Sequence, residues 1–285
     1  MKTFLRSAFL VMVVSIPGSS LNAEELWKAI PDPAPLPKPE ASGLAPVNDI
    51  KMYYEIYNSS GGDPVILLHG GGGSTLNWGN QVPALTKNHK VIAADSRGHG
   101  RSTRSEQPFS YHLMASDVLA LMDYLKVEKA SIVGWSDGGI IGIDIAINHP
   151  ERLNKLLAYG ANYNVSGVDP GLESNPIFAA VMTKLAADYQ KLSPTPGDFD
   201  NFVKAVSVMW MSQPDFKPEE LARIKAPTLI ADGQYEEGIK PEHTAELARL
   251  IPGAKLVIIP NVSHLGLWQD PIAFNKVMVD FLDTQ

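Results

Sequence analysis

Short apolar runs alternate with amphipathic stretches along the chain from about residue 50. Runs of this length predict strands, and several are apolar throughout, which is typical of parallel strands covered on both faces. The stretches between them space their apolar residues along one face of a helix. This alternation predicts right-handed βαβ units, and therefore an α/β protein with a mostly parallel, doubly wound sheet. The predicted strands cover 51–57, 65–69, 90–95, 131–135, 156–159, 228–232 and 256–260, and the predicted helices cover 112–126, 140–148, 241–250 and 272–282.

The alternation stops between residues 161 and 223. Pro and Gly break this stretch, aromatic residues are frequent, and two helical patterns run over 176–191 and 199–211. We expect 161–223 to be a helical cap inserted into the sheet domain, with most of its aromatic side chains packed within the cap. The sheet domain then comprises 48–160 and 224–285.

The N-terminus has the features of a secretory signal peptide. Lys2 and Arg6 supply positive charge, an apolar run covers 9–16, and 21–23 offers a cleavage site. The apolar run is too short to span a bilayer as a retained helix. We therefore expect residues 1–23 to be a signal peptide and the mature protein to be periplasmic or secreted, without stable membrane insertion. A cytosolic protein with an apolar N-terminus is the alternative.

A proline-rich segment follows the predicted cleavage site. Proline stands at every second position from 31 to 39. This pattern excludes helix and sheet interior and favours an extended, polyproline-like chain. We expect residues 24–47 to form an arm on the protein surface that is not part of the catalytic core.

Charge and residue usage exclude several classes of protein. The formal net charge is −7 and is spread without long runs, so nucleic acid and anionic lipid are not expected partners. The chain has no Cys, which excludes disulfides and thiolate chemistry. No two histidines have the spacing of a metal site, and we expect neither a metal nor another cofactor. The expected partner is a small-molecule substrate, while the sequence leaves the oligomeric state open.

The motif Gly134-Trp135-Ser136-Asp137-Gly138 joins a predicted strand to a predicted helix. Glycines on both sides allow the chain to turn sharply and to expose Ser136 at the apex of the turn. A Gly-x-Ser-x-Gly motif alone is a modest signal, because both residue types are common in loops. Its position between a strand and a helix strengthens it, and we expect Ser136 to be a nucleophile.

A serine hydroxyl is a weak nucleophile and needs an adjacent base. The chain has seven histidines. His264 lies just after the last predicted strand, and in a doubly wound sheet that position is at the same edge as the serine turn. We therefore expect His264 to be the base.

The base in turn needs a carboxylate that fixes its tautomer. The loop after the strand 228–232 is the expected place. Glu236 stands three residues past Gly233, where the loop has room to turn inward, and Glu237 is its competitor. We favour Glu236 from the loop geometry and expect Asp232, at the strand end, to be structural.

A run of four glycines, Gly70 to Gly73, follows His69 at the end of a predicted strand. Such a run lets the backbone approach a substrate closely with N–H groups free. We expect the N–H groups of Gly71 (or Gly72) and Asp137 to hold the negative charge that develops on a carbonyl oxygen. A phosphate-binding loop is the rival interpretation, but the Gly-Lys-Ser/Thr ending and the Gly-x-Gly-x-x-Gly spacing are missing.

These motifs, in this order, resemble the α/β-hydrolase superfamily over residues 48–285. The order serine, acid, histidine is also the order of that family. The resemblance implies the α/β-hydrolase fold, and the family's catalytic aspartate position falls on Glu236, which can orient the base if the loop adjusts. The family's structural loop near the site matches 95–102, so Asp95 and His99 are not expected to be catalytic. The matching pieces are His69-Gly70-Gly71-Gly72, Asp95-Ser96-Arg97-Gly98-His99-Gly100-Arg101-Ser102, Gly134-Trp135-Ser136-Asp137-Gly138-Gly139, the Gly233 loop and Asn261-Val262-Ser263-His264.

Within the superfamily, two pieces of the chain are similar to valacyclovir hydrolase-like esterases, which cleave amino-acid esters. They are 134–140 and 159–162. The resemblance implies that Asp137 binds a cationic group of the substrate. The alternative is that this carboxylate caps the N-terminus of its helix. Trp135 and Trp210 are further residues that we expect to contact the substrate.

The expected activity is hydrolysis of a small carboxylic ester, and of an amino-acid ester if Asp137 binds an amine. Ser136 attacks the carbonyl carbon, His264 takes its proton, and Glu236 stays ionised and holds the imidazole. Lactone, amide or carbon–carbon bond hydrolysis on the same residues is the alternative. A non-catalytic ligand-binding protein of this fold is the alternative from another class, although the intact serine, histidine and glycine run argue against it.

Overall fold

The computed structural model describes residues 11–12 and 25–284. Apart from 11–12, the predicted signal peptide lies outside the described residues. The strands are β1 (Val11–Met12), β2 (Ala41–Val47), β3 (Ile50–Tyr57), β4 (Gly62–Leu68), β5 (His89–Ala94), β6 (Ala130–Trp135), β7 (Leu153–Tyr159), β8 (Thr228–Gly233) and β9 (Lys255–Ile259). Within the described ranges they form one sheet in the order β1-β9-β8-β7-β6-β4-β5-β3-β2.

The centre of the sheet is parallel. Strand β4 pairs in parallel with β5 and β6, and β6 through β9 continue the parallel pairing in chain order. The antiparallel pairs are β3 with β5 and β2 with β3. The predicted mostly parallel α/β sheet is therefore confirmed, and each predicted strand overlaps an observed one.

Helices cover both faces of the sheet. On β4, Ile66 and Leu68 join the core beneath one set of helices, while Val65 and Leu67 join the core beneath the other. This alternation follows from the two-residue period of a strand. The helices are α1 (Val82–Leu85), α2 (Tyr111–Tyr124), α3 (Asp137–Asn148), α4 (Pro176–Leu192), α5 (Phe199–Trp210), α6 (Pro218–Leu221), α7 (Pro241–Leu250), α8 (Gly266–Gln269) and α9 (Pro271–Asp283). No described helix is both long and apolar enough to cross a membrane.

Between β7 and β8 the chain leaves the sheet and forms α4, α5 and α6. Phe202 of α5 is fully buried. Its ring stacks on Tyr189 of α4 with ring centroids 5.3 Å apart and meets His99 of the core edge-on at 4.6 Å. Aromatic packing therefore joins the two longer helices of this segment to each other and fastens them to the loop after β5.

The N-terminal arm ends earlier in the sequence than we expected. The arm was expected to reach residue 47, but Ala41–Val47 is strand β2, paired antiparallel with β3 from Ala41↔Ile56 to Val47↔Ile50. The alternating prolines end at Pro39, which leaves the following residues free to pair. Pro46 is tolerated because β2 lies at the edge of the sheet, where one side of the strand needs no partner.

Candidate active site

Ser136 occupies the sharp turn between β6 and α3. Its backbone has φ 54° and ψ −119°, close to the first central position of a type II′ turn at about +60° and −120°, which favours glycine. A serine held in such a conformation stores about 1–3 kcal/mol of strain. The Ser136 N–H donates to the carbonyl of Tyr159 at 2.7 Å, so the end of β7 helps to hold the turn.

The glycines around Ser136 are required by space as well as by the turn. A Cβ on Gly134 would lie 2.3 Å from the Gly138 carbonyl carbon, and a Cβ on Gly138 would lie 2.0 Å from the Leu68 carbonyl oxygen. Both distances are far below van der Waals contact. The motif therefore lets α3 pack closely against β4 and β6, with its N-terminus directly after Ser136.

His264 lies on the loop after β9 and is hydrogen-bonded to Glu236. Its Nδ1 is 2.8 Å from Oε1 and 2.9 Å from Oε2 of Glu236. Because an ionised carboxylate only accepts, Nδ1 carries the hydrogen, and the lone pair of the neutral ring is on Nε2. The ring lies against Gly160, where a Cβ would be 2.6 Å from His264 Cε1. Gly160 directly follows Tyr159, the residue that holds the serine turn, so one strand end positions both predicted groups.

The Glu236–His264 pair is charged, and it joins a buried carboxylate to a partly exposed imidazole ring. The Glu236 side chain is 1% exposed and its Oε1 also accepts from the N–H groups of Gly238 at 2.7 Å and Ile239 at 3.1 Å. Burial alone would raise the pKa of Glu236, but the charge and hydrogen bond of His264 hold it below its usual value. Burial would likewise lower the pKa of His264, but the charge and hydrogen bond of Glu236 raise it to about 9. The pair is therefore an ion pair at neutral pH.

Glu237, the competing acid, contacts the main chain of the histidine loop. Its Oε2 accepts from the backbone N–H of His264 at 3.0 Å, and its Oε1 accepts from the Ser263 hydroxyl at 3.2 Å. Burial and the nearby charge of Glu236 raise the pKa of Glu237. Of the two carboxylates, Glu236 is the one that reaches the imidazole ring.

Asp232, at the end of β8, is fully buried. It accepts from the Thr244 hydroxyl at 2.7 Å and from the Gly233 N–H at 2.9 Å. Burial and the charge of Glu236 raise its pKa well above the usual value. These contacts fit the structural role that we expected for Asp232. They also place its carboxyl group near that of Glu236.

Gly71 and Asp137 are neighbours beside the serine. A Cβ on Gly71 would lie 2.9 Å from Asp137 Oδ2, and a Cβ on Gly70 would lie 3.1 Å from Ser136 Cβ. Asp137 is the first residue of α3, and the backbone N–H of that position has no acceptor within a helix. Gly72, the alternative donor, has φ 75° and faces Leu185 of α4.

The Asp137 carboxylate is buried between the core and α5. It accepts from the Tyr111 hydroxyl at 2.7 Å and from the Trp210 indole N–H at 2.9 Å. Both oxygens are thus engaged by side chains of α2 and α5, which is not the contact expected of a helix cap. Burial raises the pKa of Asp137, and the two hydrogen bonds partly offset that rise. The Trp210 ring lies over the glycine run, since a Cβ on Gly71 would meet its Cζ2 at 2.4 Å.

Trp135 does not have the position expected of a substrate contact. Its side chain is 2% exposed, its indole N–H donates to the His264 carbonyl at 2.9 Å, and its ring packs against Trp268. The residue before the nucleophile faces the core below the histidine loop, because side chains alternate along β6. Trp135 therefore supports the loop from beneath.

Three residues near the site were not predicted. Tyr111 contacts Asp137 because α2 packs beside α3. No local sequence pattern predicts that contact. Gly160 directly follows a buried strand. A glycine at that edge of the sheet could have been interpreted as a position where another group approaches the backbone closely. Gln269 lies on the short helix α8, where its buried amide bonds to Ser263.

The comparison with known families agrees with the fold. A family model described as alpha/beta hydrolase fold matches residues 63–195. The 2-hydroxy-6-oxo-6-phenylhexa-2,4-dienoate hydrolase of Comamonas testosteroni is 28% identical over 266 residues, covering 82% of this chain and 93% of that protein. Human serine hydrolase BPHL is 28% identical over 257 residues, covering 85% of this chain and 86% of that protein.

Solved structures agree as well. The crystal structure of the enol-lactonase from Burkholderia xenovorans LB400 superimposes with a TM-score of 0.68 at 26% identity, covering 85% of this chain and 100% of that chain. Together with the family model and the two relatives, this likeness shows the α/β-hydrolase fold and indicates that the protein is a hydrolase. The resemblance inferred from the motifs is thereby confirmed.

Proposed function

We propose that this protein is a serine hydrolase that cleaves a small carboxylic ester through an acyl-enzyme. The observation that carries the proposal is the Glu236–His264 ion pair, which the adjacent residues Tyr159 and Gly160 hold together with the strained turn of Ser136. A strained, partly exposed serine near a charge-paired histidine is the arrangement that nucleophilic catalysis needs.

The proposed reaction has two steps. The Ser136 hydroxyl oxygen attacks the ester carbonyl carbon as its proton passes to His264 Nε2, which then protonates the departing alcohol. Water, deprotonated by His264, attacks the acyl-enzyme and releases the carboxylic acid. The backbone N–H groups of Gly71 and Asp137 stabilise the oxyanion in both steps. Glu236 keeps Nδ1 protonated throughout and remains ionised, in agreement with the lowered pKa that His264 gives it.

The nucleophile is tested with Ser136→Ala and short p-nitrophenyl esters. We expect kcat to fall by at least about 10³-fold, since little besides the oxyanion donors and binding would remain. Ser131→Ala, at a buried serine on the strand β6 that leads to the Ser136 turn, is the control and should keep its activity. A fluorophosphonate probe should label the wild-type chain at Ser136. Unchanged turnover by Ser136→Ala would rule the proposal out.

For the substrate, we propose an ester with an α-amino group bound by Asp137. The support is a buried carboxylate next to the predicted oxyanion donors, together with the similarity to amino-acid esterases. Asp137→Asn keeps the size of the side chain and removes its charge. It should lose kcat/KM for α-amino esters by about 10-fold or more and spare neutral esters of the same acyl length. Equal loss on both ester classes would instead assign Asp137 to the scaffold.

Lactone hydrolysis is the second candidate, favoured by the structural likeness to the enol-lactonase. A lactone is a cyclic ester, so the same groups would open it and release a hydroxy acid. Parallel kcat/KM values for a lactone and for the matching open-chain ester decide between them. A preference for the lactone of tenfold or more would favour this candidate.

A further inference from the structure

We propose that residues 25–40, referred to here as the strap, position His264 through the side chain of Gln269. This proposal rests on the proposed function, because it concerns how the predicted base is held. The strap contacts the loop that carries Glu236, and through Gln269 of α8 it is connected to the loop that carries His264. Gln269 and Trp27 are accordingly assigned as positioning residues.

Gln269 joins the strap to the residue before the histidine. Its Oε1 accepts from the Ser263 backbone N–H at 2.7 Å, and its Nε2 donates to the Ser263 hydroxyl oxygen at 3.1 Å. The same Nε2 donates to two strap carbonyls, those of Trp27 at 3.2 Å and Ala29 at 2.9 Å. The side chain is 7% exposed, so water does not readily replace these partners.

The connection continues from Ser263 to the histidine. The Ser263 hydroxyl donates to Glu237 Oε1 at 3.2 Å, and Glu237 Oε2 accepts from the His264 backbone N–H at 3.0 Å. The Gln269 amide shares its two N–H hydrogens among three acceptors, and the Ser263 hydroxyl both accepts from Gln269 and donates to Glu237, so the network restrains the orientation of these side chains. The main chain of His264 is thus held by Glu237, and Glu237 is held by Ser263, Gln269 and the strap in turn.

A second strap contact bears on the acid loop. The Trp27 ring stacks on Tyr235, with ring centroids 4.8 Å apart and planes inclined by 20°. Tyr235 directly precedes Glu236. The strap therefore contacts the acid loop through an aromatic ring, and it is connected to the histidine loop through two carbonyls that accept from Gln269 of α8.

The strap also extends to the helical segment above the sheet. Asp32 forms an ion pair with Lys184 of α4, and the Ala34 N–H donates to Asn80 Oδ1 at 3.3 Å. The backbone at Ala34 packs so closely on Gly79 that a Cβ there would overlap the Ala34 carbonyl oxygen. These contacts hold the strap in place along its length and so keep Trp27 stacked on Tyr235.

The expected consequence is on turnover. Displacing a reacting group by about 1 Å can cost about 10²-fold in rate, whereas these strap contacts do not reach Asp137 or Trp210. Loss of the strap contacts should therefore lower kcat and leave KM nearly unchanged. It should also move the acid limb of the pH profile, because the network sets the position of Glu237 relative to His264, and Glu237 is one of the charges that raise the pKa of His264.

The test compares Gln269→Leu with Gln81→Leu in the full chain. Gln81 is an equally buried amide, and it donates to the Leu267 carbonyl of the same helix α8 at 2.9 Å without contacting Ser263. Both variants should lower the melting temperature. Gln269→Leu should also lower kcat about tenfold or more and shift the acid limb, and Gln81→Leu should do neither. Equal effects of the two variants on kcat would overturn the proposal.

Trp27 supplies a second variant in case Gln269→Leu does not fold. Trp27→Ala should lower kcat at unchanged KM, and Trp27→Phe should restore most of the rate because it keeps a ring on Tyr235. Wild-type kcat in Trp27→Ala would contradict the strap proposal alone, provided that Ser136→Ala is inactive. An active Ser136→Ala variant would remove the proposed function and the strap proposal with it.

Discussion

Replacing Glu236 with Gln tests the electrostatics of the pair. In the wild type, both Glu236 oxygens face His264 Nδ1, and Oε1 also accepts from the N–H groups of Gly238 and Ile239. A Gln carbonyl oxygen would stay at the Oε1 position to serve those two donors. Its NH₂ group would then take the Oε2 position, 2.9 Å from Nδ1, and favour the tautomer with hydrogen on Nε2. That tautomer cannot accept the Ser136 proton.

The size of the effect depends on pH. The pKa of His264 is raised to about 9 by Glu236 in spite of burial, so at pH 7 about one molecule in 100 has the neutral, basic imidazole. Wild-type kcat/KM should therefore rise about 100-fold between pH 7 and its plateau above pH 9. Without the Glu236 charge, burial lowers the pKa of His264, and the variant should already be at its plateau at pH 7. The wrong tautomer should cost about 10⁴-fold at the plateau.

The assay is kcat/KM for a neutral ester between pH 6 and 10, in wild type and Glu236→Gln. The ratio of the two should be about 100-fold larger at pH 10 than at pH 7, because only the wild-type rate rises in that interval. Circular dichroism across the same range controls for unfolding. Parallel profiles with a shared acid limb would refute the assignment of Glu236 as the partner that sets the pKa of His264.

Three further substitutions test the charge of Glu237, the space beside the His264 ring and a buried ion pair of the scaffold. Glu237→Gln removes a lesser contribution to the raised pKa of His264, so its acid limb should move to lower pH by less than that of Glu236→Gln, as read from the same profiles. Gly160→Ala places a methyl group 2.6 Å from the His264 ring at a backbone φ of 62°, and kcat should fall by about 10²-fold in steady-state assays. Arg97→Met breaks a buried ion pair with Asp117 at 2.7 Å and should cost about 3–5 kcal/mol in urea unfolding, with kcat per folded molecule unchanged.

The sequence predicts the sheet and the main site residues because their signals are local. Continuous apolar runs mark buried strands, and Ser136, Glu236 and His264 each follow one of them. The carboxyl ends of parallel strands meet at one edge of the sheet, so their proximity follows from topology alone. The same argument could not separate Glu236 from Glu237, since which of two adjacent side chains turns inward depends on the hydrogen bonds that close the loop.

The features that were missed depend on contacts between distant parts of the chain. Strand β2 lacks a clear apolar alternation and is defined by its pairing with β3. Trp135 was expected to contact the substrate, but its side chain faces the core, because side chains alternate between the two faces along β6. The Gln269 network joins residues more than 230 positions apart, and a single amide in a short helix gives no sign of such partners.

At position 136, the backbone conformation favours glycine for stability, whereas the proposed reaction needs a serine. A glycine there would adopt φ 54° and ψ −119° without the steric penalty that a side chain incurs, and the chain would hold the same turn with less stored strain. Directed evolution that rewards only resistance to heat should therefore accumulate glycine at this codon and produce robust, inactive molecules. Under the proposed function, the wild-type serine keeps its hydroxyl at this turn at the expense of stability.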